Sequence, residues 1–143
     1  MAAGVPAGFA PLSVDGGFVG HNGPFYLRAE DSGGSVFGFR AEPRHGNFYG
    51  VLHGGALVTL VDTYMGHLVA KATGQTCATM TFDAQFVAGG RVGRWIEARG
   101  EIKKLTRSHA HLVAEARDGE ETLLLASAVF RVLGGPRPEA GAA

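Results

Sequence analysis

The 143-residue sequence predicts an α+β fold in which one long central helix is wrapped by a five- or six-stranded antiparallel sheet. Three observations predict it. From Leu52 to Ala72 the apolar residues recur with a helical period, whereas after Gly74 four successive segments alternate with a period of two. The connections between those four segments are short, which makes consecutive strands antiparallel neighbours. One helix and one sheet, each with an apolar face to bury, pack most simply as two layers.

Taken in order, Met1 to Pro11 is rich in Ala, Gly and Pro, and residues 1–19 are expected to be flexible or weakly structured. Pro24 to Glu30 and Ser35 to Glu42 read as two strands joined through the turn Asp31-Ser32-Gly33-Gly34. At 100° per residue, Leu57, Leu60, Val61, Tyr64, Met65 and Leu68 fall on one stripe of the following helix. Thr59, Thr63, Gly66 and Ala70 face the other way. A solvated helix face would carry Lys and Glu there, so this face is expected to be covered as well. Gly74 supplies the C-terminal stop.

In the first strand after the helix, Ala78, Met80, Phe82, Ala84 and Phe86 should share one face. Ile96, Ala98 and Ile102 do the same in the second, and Ala110, Leu112, Ala114 and Ala116 in the third. Asp118-Gly119-Glu120 then turns the chain into a last strand, Thr122 to Leu133. One domain, 20–133, is the expected globular unit, followed by a disordered tail at 134–143. A chain of this length buries about 70% of its unfolded surface, enough for one core.

Composition narrows the function. Thirteen Lys+Arg balance 13 Asp+Glu, so there is no global field to attract nucleic acid or an anionic membrane surface. Charged residues make up 18%, below the roughly 25% usual for soluble domains, which points to surface covered by another subunit. The single cysteine, Cys77, forms no intrachain disulfide and no Cys-based zinc site. There is no basic and apolar leader at the N-terminus, and the most apolar stretch, Ala56 to Ala70, is broken by Asp62 and His67. A soluble cytoplasmic protein is the expectation.

The charge that remains is informative by position. From His45 to Ala70, Asp62 is the only formally charged side chain, and it lies at the edge of the helix's apolar stripe. Such a carboxylate needs partners or a raised pKa, as functional acids and bases do, although a purely structural hydrogen-bonded acid has the same signature. His53-Gly54-Gly55 opens the helix, preceded by Asn47 and Gly50. Glycines let a ligand approach the backbone, and first-turn amides lack intrahelical acceptors, so they can hold an anion or an oxyanion. Asp62 follows His53 by about two and a half turns, so the two do not share a face; a site using both requires two copies of the chain.

The run Asn47-Phe48-Tyr49-Gly50-Val51-Leu52-His53-Gly54-Gly55-Ala56-Leu57, continued by Thr59-Leu60-Val61-Asp62, resembles the signature of hotdog-fold acyl-CoA thioesterases of the phenylacetate-degradation type. Thr79 to Phe86, Gly93 and Ala126 to Val132 fit that family's strands, so the likeness spans about residues 20–133. It implies an acyl-CoA substrate, no metal or other cofactor, and Asp62 as general base or nucleophile. It further implies that the Gly54 amide polarises the thioester carbonyl, that Asn47 places the water or carbonyl, and that His53 shapes the loop. In such enzymes Asp and His-Gly-Gly come from different subunits, which implies a homodimer as the minimal active unit and a homotetramer as the larger assembly. Gly50 and Gly55 then border the substrate. One departure is Ala88-Gly89-Gly90, where relatives often carry a Ser or Thr that orients water.

Lys103, Lys104 and Arg107 are candidates for the coenzyme A phosphates, or are simply solvated. His109 and His111 share a strand face without a third metal ligand. Phe9, Phe18, Phe25, Phe48 and Tyr64 could line an acyl pocket or belong to the core. Two other readings stay open: a non-catalytic acyl-CoA-binding protein, and an acyl-thioester dehydratase pairing Asp62 with His67. Against the second, the two side chains lie about 140° apart around the helix.

Overall fold

A computed structural model describes residues 4–13 and 16–136. The elements are β1 (Ala10–Pro11), α1 (Gly17–Asn22), β2 (Tyr26–Ala29), β3 (Ser35–Arg40), a 3-10 turn at Pro43–His45, α2 (Gly54–Thr73), β4 (Gln75–Phe86), β5 (Trp95–Leu105), β6 (His109–Asp118) and β7 (Glu121–Pro136). Seven strands form one antiparallel sheet in the order β1-β2-β3-β5-β6-β7-β4, with α2 laid across one face. The strand beyond the expected five or six is β1, two residues long. Of the stretch expected to be weakly structured, the described part holds β1 and the start of α1. Gly134–Pro136 continue β7, with Thr76 paired to Gly134 and Gln75 to Pro136; 137–143 lie outside the described residues.

The core follows the two periods. Leu57, Leu60, Val61, Tyr64, Met65 and Val69 of α2 are buried against Phe37, Phe39, Ile96, Ala98, Leu112 and Leu124 of the sheet. Gly74, left-handed at φ 67°, stops the helix and turns the chain into β4. The Tyr64 hydroxyl closes the gap where β3 and β5 part: it donates to Ser35 O at 2.8 Å and receives the Gly100 amide at 3.0 Å. Burial pushes the phenol's pKa upward, so the hydroxyl keeps its proton.

One sequence expectation is corrected in β4. The strand carries a β-bulge against β7 between Thr79 and Thr81, leaving Met80 without a register partner. A single extra residue reverses the alternation. Cys77 and Thr79 therefore face α2 before the bulge, and Phe82, Ala84 and Phe86 face it afterwards. Met80, expected on the inner face, is 55% exposed.

β4 is also the sheet's edge. Among the described residues it pairs only with β7, so its other side presents to them an open row of backbone groups along 12 residues.

Candidate active site

Asp62 lies mid-way along α2, half-buried, on the floor of a cleft of about 520 Å3 between the helix, the first half of β4 and the N-terminal residues Leu12 and Val19. Of the face expected to be covered, Thr63, Gly66 and Ala70 form this floor beside Asp62, and Thr59 is not among the residues lining it. Phe37 and Phe130 wall the cleft. His67 lines it too, its ring 5.0 Å from that of Phe37, so the cleft wraps far enough around the helix to meet both Asp62 and His67. The angle between those residues thus does not separate them into different sites.

The carboxylate has a partner. Thr79 Oγ1 donates to Asp62 Oδ1 at 2.7 Å, across from helix to strand. This residue escapes the sequence pattern because period-two counting places Thr79 outward; only the bulge turns it in. Thr79 thus places a hydroxyl beside the acid, whereas Ala88 offers none. Ala88 itself lies in the loop after β4, its amide 3.4 Å from Leu123 O.

The helix N-terminus forms a second group of residues. His53 is the N-cap, and its Nδ1 accepts the Gly55 amide at 2.8 Å, which leaves the imidazole proton on Nε2. Ala56 N–H bonds the His53 carbonyl at 2.9 Å. Among the described residues, the Gly54 amide is the first-turn donor without an acceptor. The glycine pair has a steric cause: a Cβ at Gly54 would lie 2.9 Å from the Phe86 ring, and one at Gly55 3.0 Å from His53 Nδ1.

Asn47 holds the preceding loop. Its Oδ1 accepts the amides of Tyr49 at 2.8 Å and Val51 at 3.3 Å, and Gly50 completes the turn at φ 79°. What Asn47 has left for a ligand is its NH2 group. Buried His45 ties this loop to the rest of the fold: its Nδ1 accepts the Glu42 amide at 2.9 Å, its Nε2–H reaches Asn22 O at 2.7 Å, and its carbonyl accepts the His53 amide at 2.9 Å. Burial holds the His45 pKa below the ordinary range.

The two groups do not meet within one chain. Gly54 and Asp62 are both on α2, about 12 Å apart along its axis. Asn47, Gly50, His53, Gly54 and Gly55 cluster at the helix start, while Asp62, Thr79 and the cleft lie beyond it. Lys103, Lys104 and Arg107 are exposed at the β5–β6 hairpin, with Lys103 paired to Glu101. Of the aromatics proposed for a pocket, Phe25 and Tyr64 are core, Phe48 and Phe18 are exposed, and Phe9 packs on Trp95 at 5.0 Å. Phe37 and Phe130 are the aromatics that line the cleft; sequence spacing offered no signal for them.

A long helix across one antiparallel sheet, with an acid at mid-helix and a bare helix start, is the hotdog architecture. Solved structures agree: the phenylacetic acid degradation protein PaaI of Thermus thermophilus, solved as a mutant, matches with a TM-score of 0.73 at 19% identity, over 81% of this chain and 98% of that one. A hypothetical thioesterase of Streptococcus pneumoniae, solved with coenzyme A, matches at 0.70 and 21% identity over 79% and 88%. In sequence, the thioesterase superfamily profile matches residues 49–125, and the chain belongs to that superfamily. The Pseudomonas aeruginosa protein PA0474, provisionally named an esterase, is 32% identical over 130 residues, 90% of this chain and 97% of its own.

Proposed function

We propose that the protein hydrolyses acyl-CoA thioesters to the free acid and coenzyme A, at sites each built from two copies of the chain. The observation that carries this reading is the Asp62 carboxylate, fixed by Thr79 at 2.7 Å in a cleft that Phe37 and Phe130 wall. Asp62 takes a proton from water as the water oxygen attacks the thioester carbonyl. The Gly54 amide of the other copy receives the developing oxyanion. Collapse of the adduct breaks the carbon–sulfur bond, and the thiolate leaves with the proton held by Asp62. A positioned base contributes about 10²–10⁴-fold and an oxyanion donor about 10²–10³-fold. The scheme uses no metal or redox cofactor.

Two features favour a two-chain site. One is the separation of about 12 Å between Gly54 and Asp62, too far to flank one carbonyl. The other is the open β4 edge. Gly54 rests against Phe86 near the end of β4, and Asp62 is bonded to Thr79 within it. Antiparallel pairing of two β4 strands centred near Phe82 and Asp83 sets Thr79 of one copy opposite Phe86 of the other, carrying a helix N-terminus towards each Asp62. The sheet's outer face carries Val113 and Leu125, 37% and 44% exposed, an apolar strip that a tetramer of two such dimers can bury. Lys104 and Arg107 are the cations offered to the coenzyme A phosphates.

The test is thiol release from a panel of acyl-CoAs by wild type and Asp62→Asn. Turnover that falls at least about 100-fold in the variant agrees with a positioned base. Tight acyl-CoA binding without product would instead favour a non-catalytic binding protein, and loss of conjugated absorbance from an enoyl-CoA would favour the dehydratase.

A further inference from the structure

Gly66 lies one turn beyond Asp62 on the cleft floor, in the middle of a 20-residue helix. Glycine is the least favourable residue there apart from proline. The usual reasons for tolerating it are a left-handed backbone or a neighbour too close for a side chain. Neither applies. The φ of Gly66 is outside the left-handed range. A Cβ built on it meets only Phe130 Cε2, at 3.5 Å, an ordinary van der Waals contact. The contrast with other glycines is sharp: at Gly38 the Trp95 ring would lie 2.4 Å from a Cβ, and at Gly100 the Val113 carbonyl would lie 2.4 Å away. Those two are required by packing, and Gly66 is not.

What glycine secures at 66 is open space above the helix, and that space is the cleft. It runs from Asp62 over Gly66 to Ala70, about 12 Å along the axis. Leu12 and Val19 also line it, both partly buried against the core, with the Leu12 amide tied to Phe25 O at 2.9 Å. Among the described residues lining the cleft, Asp62 is the one carboxylate and there is no Lys or Arg. We infer that Gly66 is the residue that sets how large an acyl group the site admits, with Leu12 and Val19 as the wall that ends it. Ser13, Gln75 and Thr76 share the lining with Phe37 and Phe130, so the acyl group is uncharged and extends past Asp62 across the bare backbone at 66. This inference rests on the thioesterase reading, since it is that reading that places the scissile carbonyl at Asp62.

The experiment measures affinities of non-hydrolysable acyl-CoA thioether analogues by calorimetry, from acetyl through butyryl and hexanoyl to octanoyl, alongside turnover of the matching thioesters. Gly66→Ala should unfold at the same or a higher temperature than wild type, because alanine is the better helix former and its Cβ has room. It should lower the ratio of hexanoyl to acetyl affinity by about tenfold, the scale of one methyl group in an apolar pocket. Gly66→Val should lower that ratio further. Leu12→Ala combined with Val19→Ala should move the preference the other way, towards octanoyl. A response to Gly66→Ala that is equal at every acyl length, or absent, overturns the role of Gly66. A wild type that binds the analogues but turns over no thioester overturns the catalytic reading alone, because the affinity series reads the cleft without turnover. A wild type that binds none of them overturns both.

Discussion

The two faces of α2 are built on opposite principles. One presents Leu57, Leu60, Val61, Tyr64, Met65 and Val69 to the sheet, all buried, and holds the domain together. The other presents Asp62, Thr63, Gly66 and Ala70 to a cleft, with small side chains and one acid. Both faces lack lysine and glutamate, so composition alone makes them look alike. The difference is what fills the space opposite: side chains of the sheet in one case, an open cavity in the other. Substitutions on the first face should therefore act on stability, and on the second on turnover, which allows the contrast to be tested residue by residue.

The largest effect is expected on the open face. Asp62→Asn should cut kcat by about 10²–10⁴-fold while leaving the denaturation midpoint close to wild type, as steady-state kinetics and urea unfolding would show. On the filled face, Leu60→Ala should cost about 2–5 kcal/mol of unfolding free energy, because the side chain is 0% exposed and its removal leaves a cavity. If Leu60→Ala instead spared stability and abolished turnover, the division between the faces would be lost. Tyr64→Phe should cost about 1–3 kcal/mol, since the buried Ser35 carbonyl and the part-buried Gly100 amide lose their partner. Thr79→Val keeps the shape and removes the hydroxyl. It should lower kcat about tenfold with no change in unfolding, the worth of one hydrogen bond to a charged group.

The smallest effect is a pH dependence away from both faces. Burial lowers the His45 pKa in the folded state, so below the unfolded value of about 6.5 the unfolded chain binds the extra proton. Its contribution to stability is complete above about pH 6.5 and is lost as pH falls below that value. His45→Gln should flatten the melting temperature across this window, although the variant is less stable throughout.

Much of this arrangement was legible in the residues themselves. The helix, its glycine stop and the alternating strands follow from two periods that sterics impose on any chain. Asp62 stood out because nothing else from His45 to Ala70 carries a formal charge. The likeness to acyl-CoA thioesterases drew on the same segment, and the superfamily match covers most of it. Thr79 was not legible, because the bulge at Met80 reverses the face of every residue beyond it and a bulge leaves no mark in a count of alternation. Phe37 and Phe130 were missed for a different reason: they reach the cleft from β3 and β7, and only tertiary packing brings those strands to the same side of α2. Asn47 could be picked out from the motif, but the sequence did not reveal that its carbonyl oxygen closes its own turn.

The proposed site takes its acid from one chain and its oxyanion donor from another. Mixing two inactive variants tests this directly: Asp62→Asn, which lacks the base, and Gly54→Pro made together with Phe86→Ala, which lacks the amide donor at a first helical position that tolerates proline and frees the space the Phe86 ring would deny it. Co-expressed at equal levels, they should recover about a quarter of wild-type activity, because half the dimers are mixed and each mixed dimer has one intact site of two. Activity that stays at the level of the separate variants, in a mixture shown to contain mixed dimers, would contradict the account and confine each site to a single chain.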